Sequence, residues 1–239
     1  MMGITAAAAM TTHWQLLTMH GWGSDHRAWN GFRRGCELRG WPLRCIERGY
    51  GRFPATQPKW DGPNRRALLL NSLGIHLVPP QILATAEAVV LLASFGRFVP
   101  AGGAGRPLSQ ALRRMDERLA GGELQQLFTD FRARVAQPQP VELLPPGVED
   151  GPLQAQGVSD LRQDLELLAS CSGLPQAFPP SAAVLLVEAG QDQIVHPLSR
   201  KALRLALPHA TVLSIDGIGH GLMVPSLPAQ VLQWIEELR

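Results

Sequence analysis

Three short pieces of this 239-residue chain carry the residue types of nucleophilic catalysis: Ser72 in Asn71-Ser72-Leu73-Gly74, Asp192 in Gly190-Gln191-Asp192, and His220 in Gly219-His220-Gly221. They run in the order nucleophile, acid, base. A serine hydroxyl is a poor nucleophile at neutral pH unless a histidine takes its proton and a carboxylate holds that histidine in the right tautomer. Each piece follows an apolar run that reads as a strand, so three strand ends must converge at one edge of a sheet. Asp192 lies 28 residues before His220, and adjacent strand ends would bring the two together. The competing acid, Asp216, is four residues from His220 at a strand end and reads as a turn former.

A nucleophile on a strained strand-to-helix turn needs small residues two positions before and after it. Gly74 meets the second requirement; Leu70 stands where glycine is usual, and Pro79-Pro80 interrupts the following helix early. Ser94, in Ala93-Ser94-Phe95-Gly96, is the rival nucleophile, but glycines rather than a helix follow it. Either serine could instead be only an N-cap. Acyl transfer also needs donors for the developing oxyanion, which the backbone N–H groups of Leu73 and Trp22 would supply. His20-Gly21-Trp22-Gly23 fits that role because glycine lets the backbone approach a substrate. The same glycines, with Glu47 ending the next strand, also admit a dinucleotide-binding turn, although His26 replaces its third glycine. His13, His26, His76, His196 and His209 read as polar surface.

The elements that must position these residues are strands at Trp14–Met19, Leu43–Glu47, Ala67–Leu70, Ala88–Ala93, Ala183–Val187 and Ala210–Ile215, alternating with helices. Continuous apolar strands with helices between them predict a mostly parallel sheet of about six or more strands, covered on both faces. Ser24 or Asp25 caps a helix running to about Leu38, and helices at about Leu198–Leu207 and Leu227–Leu238 close the chain. Between Phe95 and Ala169 the alternation stops. Leu108, Ala111, Leu112, Met115 and Leu119 fall on one helical face, Leu124, Leu127, Phe128, Phe131 and Val135 on another, with Gly121-Gly122 between them. Prolines 138 to 152 mark an extended return before a helix from about Ser159 to Ser170. The expected organisation is a core of residues 1–95 and 171–239 with a helical lid at 96–170, placed to cover the sheet's C-terminal edge.

Composition narrows the classes. A 45% apolar chain of this length buries a full core, and a net charge of +2 with no long basic run argues against nucleic acid. Only Lys59 and Lys201 are lysines among 22 basic residues. Three cysteines, Cys36, Cys45 and Cys171, have no metal-ligand spacing and suit free thiols in a reducing cytoplasm. Met1–Thr12 lacks the basic region of a signal peptide and leaves little room for opening antiparallel strands, and no segment is apolar for the roughly 18 residues that a membrane span needs.

His20-Gly21-Trp22-Gly23 with Trp29, Gly49-Tyr50-Gly51-Arg52, Asn71-Ser72-Leu73-Gly74, Gly190-Gln191-Asp192 with Val195 and Pro197, and Gly219-His220-Gly221 resemble the α/β-hydrolases. Within these the chain is most similar to the carboxylesterases that demethylate pimeloyl-acyl carrier protein methyl ester in biotin synthesis, with Trp22 as the best pointer. The resemblance implies the α/β-hydrolase fold, Ser72, Asp192 and His220 as catalytic residues, and no metal or organic cofactor. It also implies an acyl carrier protein as substrate-bearing partner. Residues 97 to 134 hold seven arginines against Asp116, Glu117, Glu123 and Asp130, and Arg113, Arg114 and Arg118 lie opposite the leucine stripe of their helix. They are the expected docking residues for an acidic carrier. Other enzymes on this scaffold, such as a thioesterase, a C–C hydrolase or a menaquinone-pathway enzyme, stay open, as does a non-catalytic receptor or scaffold.

Overall fold

The apolar runs form strands Trp14–Met19 (β1), Leu43–Ile46 (β2), Arg65–Asn71 (β3), Ala88–Leu92 (β4), Ala183–Ala189 (β5) and Thr211–Ile215 (β6) in a computed structural model that describes residues 13–238. The expectations for Met1–Thr12 fall outside those residues. The strands pair in the order β2-β1-β3-β4-β5-β6, every pair parallel. β4 is buried along its whole length and β3 over Ala67–Leu70, because helices cover both faces; β6, at the sheet edge, leaves Val212 exposed. The register places Met19 beside Leu70, Asn71 beside Leu92, and Ala189 beside Ile215. The chain therefore leaves β1, β3, β5 and β6 at one common edge. β2 lies on one side of β1 and β3 on the other, which makes that edge the crevice where ligands bind in open α/β sheets.

Side chains alternate across the sheet. Leu16, Leu69 and Val90 share one core with Trp29, which ends the 3-10 turn His26–Trp29, with Phe32 of Asn30–Leu38 (α1), and with Val231, Leu232 and Ile235 near the C-terminus. Leu17, Met19, Leu68 and Leu70 face the opposite core, under Gly74–Leu77 (α2) and Pro80–Leu83 (α3). Asp25 starts the segment before α1, its carboxylate accepting from the Arg27 N–H, as the sequence predicts. Proline cannot continue the helical hydrogen-bond ladder, so Pro79-Pro80 stops α2 after one turn and starts α3 on a new course. Leu70 fills the space beneath them, fully buried in the cluster that holds Ile75, Val78, Ile82 and Leu83. The site thus accommodates a leucine where glycine is usual.

The insertion between β4 and β5 contains Arg106–Ala120 (α4), Leu124–Ala136 (α5) and Ala155–Ser170 (α6), joined after α5 by a proline-rich return with two short 3-10 turns. Its apolar faces and the loops at the sheet edge form a third core, which unites Trp22, Tyr50, Leu73 and Phe95 with Leu112, Leu119, Leu127, Phe128, Leu161 and Leu165. α6 begins four residues earlier than expected. Gly157, a poor helix former by propensity, is needed inside it because a side chain there would collide with the Tyr50 carbonyl. Asp164 of α6 accepts hydrogen bonds from the Tyr50 hydroxyl (2.5 Å) and from Arg48 Nε (2.8 Å), so the helix is anchored to the loop after β2. Pro197–Ala206 (α7) and Leu227–Glu236 (α8) complete the layers. Among the described residues, no helix is long and apolar enough to cross a membrane.

Candidate active site

Ser72 follows directly on β3 with a φ of 52°, a left-handed conformation that a side-chain-bearing residue adopts only where its surroundings impose it. Four neighbours do so. The Ser72 N–H donates to Leu92 O (2.9 Å), and the Ser94 hydroxyl donates to Ser72 O (2.6 Å). A Cβ on Gly74 would lie 2.5 Å from Met19 O, and one on Gly21 would lie 3.0 Å from Ser72 Cβ. Gly74 is thus required by the close passage of β1, which is the physical content of the small residue expected two positions after the nucleophile. Ser94, the rival nucleophile, is buried and spends its hydroxyl on buttressing this turn.

His220 is delivered by the loop after β6 and Asp192 by the loop after β5. His220 Nδ1 lies 2.9 Å from Asp192 Oδ2, with the residues 5% and 8% exposed. The other carboxylate oxygen, Asp192 Oδ1, accepts from the N–H groups of Ile194 (2.7 Å) and Val195 (2.9 Å). Burial opposes the charge on Asp192, but His220 beside it and the two backbone donors outweigh burial and hold the carboxyl below its ordinary value. Asp216 is exposed in the turn after β6, under Gly190. The glycines flanking His220 have a packing reason. A side chain on Gly219 would collide with Gln137 O, one on Gly221 would come within 2.6 Å of Leu144, and the Gly221 N–H donates to Val135 O (2.9 Å).

Ser72, His220 and Trp22 line one cavity of about 660 Å³, whose walls include Leu108, Leu112 and Met115 of α4, Phe131 and Val135 of α5, and Leu144 of the return. That is the size and character of a site for an extended apolar ligand. Among the described residues His220 bonds Asp192 and makes no hydrogen bond to Ser72; such bonds commonly tighten only when substrate is bound. Asp192 orients an imidazole, the imidazole faces the same cavity as a strained serine, and the arrangement has the parts for acyl transfer through serine.

The turn after β1 sits against Ser72. Its glycines do not leave room for a pyrophosphate: Ser72 Cβ occupies the space in front of Gly21, and the Phe128 ring that in front of Gly23. Glu47, the acid that a dinucleotide turn would use, is bonded to the His26 N–H (2.7 Å) and ring (2.5 Å). One positioning residue escaped the sequence reading. His20 is fully buried and its Nδ1 lies 2.9 Å from Gly21 O. A carbonyl oxygen only accepts, so Nδ1 carries the proton. The Gly21–Trp22 peptide is planar, and holding its C=O fixes the opposite direction of the Trp22 N–H. The His-Gly pair was the available signal.

Asp25, His26 and Glu47 offer ligand atoms within 4.8 Å of one another. Asp25 is taken up by Arg27, which reaches both of its oxygens (2.9 and 2.7 Å), and Glu47 by His26, so these donors are already satisfied within the protein. Of the expected docking residues, Arg113 and Arg114 are exposed, while Arg118 is paired with Glu123 (3.2 Å) and Asp130 (2.9 Å). None of the three lines the cavity; exposed Arg134 does.

No protein-family model and no curated protein matches the chain. Solved structures do. The enol-lactonase of Burkholderia xenovorans LB400 is 14% identical, with 95% of this chain and 92% of that chain covered and a TM-score of 0.70. An esterase of Exiguobacterium antarcticum is 13% identical, with 95% and 94% covered and a TM-score of 0.72. An α/β hydrolase from a Medee basin deep-sea metagenome is 13% identical, with 98% and 93% covered and a TM-score of 0.64. With its six-stranded parallel sheet, helices on both faces and site at the strands' C-terminal edge, the chain has the α/β-hydrolase fold.

Proposed function

We propose that this protein is a serine carboxylesterase that hydrolyses the methyl ester of a pimeloyl chain carried on acyl carrier protein, in biotin synthesis. One observation carries the esterase reading: strained Ser72 and the His220–Asp192 pair meet on a single apolar cavity. Ser72 Oγ attacks the ester carbonyl while His220 takes its proton, and Asp192 stabilises the imidazolium. The N–H groups of Trp22 and Leu73 hold the oxyanion. His220 then gives the proton to departing methanol, and water releases the acid by the same steps. Residues 96–170 act as a lid over the core formed by residues 1–95 and 171–239, their leucines lying along the acyl chain. No metal or organic cofactor takes part. Three free cysteines suit a reducing cytoplasm.

The substrate assignment rests on the sequence resemblance and on the exposed Arg113 and Arg114 of α4, which can meet an acidic carrier. Arg118, already in ion pairs, contributes less. Hydrolysis of carrier-linked pimeloyl methyl ester and of a small free methyl ester, followed by mass spectrometry, tests it. Arg113→Glu with Arg114→Glu should raise KM for the carrier-linked ester alone and weaken its salt dependence. Growth rescue of a biotin-requiring strain lacking its esterase should accompany it. Turnover of the free ester without the carrier-linked one would keep the esterase and remove the carrier protein.

A further inference from the structure

Trp22 is held from two directions, and only one of them belongs to the hydrolase core. Its side chain is buried in the helical insertion. The indole Nε1–H donates to Leu161 O of α6 (2.9 Å). The ring stacks on Phe128 of α5 (centroids 5.6 Å, 23° between planes) and meets Phe131 edge-on (5.0 Å, 86°). Phe128 also closes over Gly23, whose φ of 66° lets the turn bend back: a Cβ there would lie 2.8 Å from the ring. Trp22 and Gly23 are thus both fixed by α5, while the core's own contribution is the His20–Gly21 hydrogen bond. The same helix ends at the base, since Val135 O receives the Gly221 N–H next to His220.

We propose that the insertion sets the oxyanion hole by gripping the Trp22 side chain, with Phe128 as the positioning residue and the Leu161 carbonyl as the second anchor. The inference rests on the reading above that Ser72 is the nucleophile and that the Trp22 N–H is an oxyanion donor. Phe128 is buried and does not line the cavity, so it has no direct contact with substrate to explain an effect on rate. Its effect passes through the indole and Gly23 to the backbone N–H. A donor must sit about 3 Å from the place where the oxyanion forms, and a small displacement forfeits much of its value without altering ground-state binding. Docking of the lid is therefore required for the chemical step as well as for shelter from water.

The test uses the full chain with a p-nitrophenyl ester as substrate and a trifluoromethyl ketone, which adds to a serine hydroxyl as an oxyanion, as inhibitor. Trp22→Phe removes the indole donor but keeps the backbone N–H; Phe128→Leu removes the stacked ring. Each should lower kcat by about 10- to 100-fold, leave KM within about threefold and weaken the ketone by the same factor as kcat. Folding is checked by circular dichroism, and Phe128→Leu decides the matter should Trp22→Phe fail to fold. A folded variant with unchanged kcat, or one whose loss is confined to KM, overturns the inference. Ser72→Ala is run alongside: if it stays as active as the parent, the serine reading itself has failed, whereas an inactive Ser72→Ala with fully active Trp22→Phe and Phe128→Leu removes only the lid's part.

Discussion

Replacing Asp192 by asparagine should cost about 10⁴ in kcat, and the hydrogen bonds around the carboxylate say why. Oδ1 accepts two backbone N–H groups, from Ile194 and Val195, and Oδ2 faces His220 Nδ1 at 2.9 Å. An asparagine amide has one acceptor oxygen and one donor nitrogen. The two backbone donors claim the oxygen, because turning the amide over would set its NH₂ against two N–H groups and forfeit two buried hydrogen bonds, each worth roughly 1 kcal/mol or more. The NH₂ must then face Nδ1, which can only accept from it, so the imidazole proton moves to Nε2. That is the nitrogen needed to take the proton of Ser72. The expected loss corresponds to about 5 kcal/mol of transition-state stabilisation. Steady-state kinetics on a p-nitrophenyl ester measures it, with KM nearly unchanged and circular dichroism confirming the fold. Asp216→Asn, at an exposed turn, should retain nearly full activity. A loss under about tenfold for Asp192→Asn, or a larger loss for Asp216→Asn, would refute the assignment of the acid.

Gly74→Ala sets a methyl group 2.5 Å from Met19 O and should destabilise the fold by about 1–3 kcal/mol, lowering Tm by about 2–4 °C for each kcal/mol while reducing kcat through the shifted turn; an unchanged Tm in a calorimetric scan would show that β1 gives way freely. Ser94→Ala removes a buried hydrogen bond worth about 1 kcal/mol and should leave kcat within about tenfold, so a loss like that of Ser72→Ala would reinstate Ser94 as nucleophile. Tyr50 is the chain's single tyrosine. Burial first, and then the Asp164 carboxylate, push its phenol well above the ordinary value of 10. A raised folded value makes its stabilising contribution complete below about pH 10 and lost as pH climbs beyond it. Tyrosinate absorbance should therefore appear only with unfolding; ionisation near pH 10 in the folded protein would place the Tyr50–Asp164 contact in error.

The six strands and the order of the loops that carry Ser72, Asp192 and His220 could be read from the chain because each depends on local pattern: continuous apolar runs for a sheet covered on both faces, and glycines around a polar residue just beyond a strand. The insertion's helices were equally legible from their leucine spacing. What stayed hidden depends on residues far apart in sequence. Leu70 looks incompatible with a tight turn until it is seen buried in one cluster with Ile75 of α2 and Ile82 and Leu83 of α3. Gly157 kept the expected start of α6 at Ser159, because nothing local shows that the Tyr50 carbonyl approaches it and that the helix runs through it from Ala155. The glycines beside His220 meet Gln137 and Leu144, and the Trp22 indole meets Leu161, contacts that no local period signals. Arg118 shows the same limit for charge: its helical position predicts a free basic face, but Asp130 on the next helix neutralises it.

Everything proposed for this site depends on Ser72 being the nucleophile. Treating the protein with a fluorophosphonate and weighing it intact measures this most directly, since the probe reacts covalently with an activated serine. One adduct on the parent chain and none on a folded Ser72→Ala variant is the result predicted here. Equal labelling of Ser72→Ala, or no labelling of the parent, would contradict it.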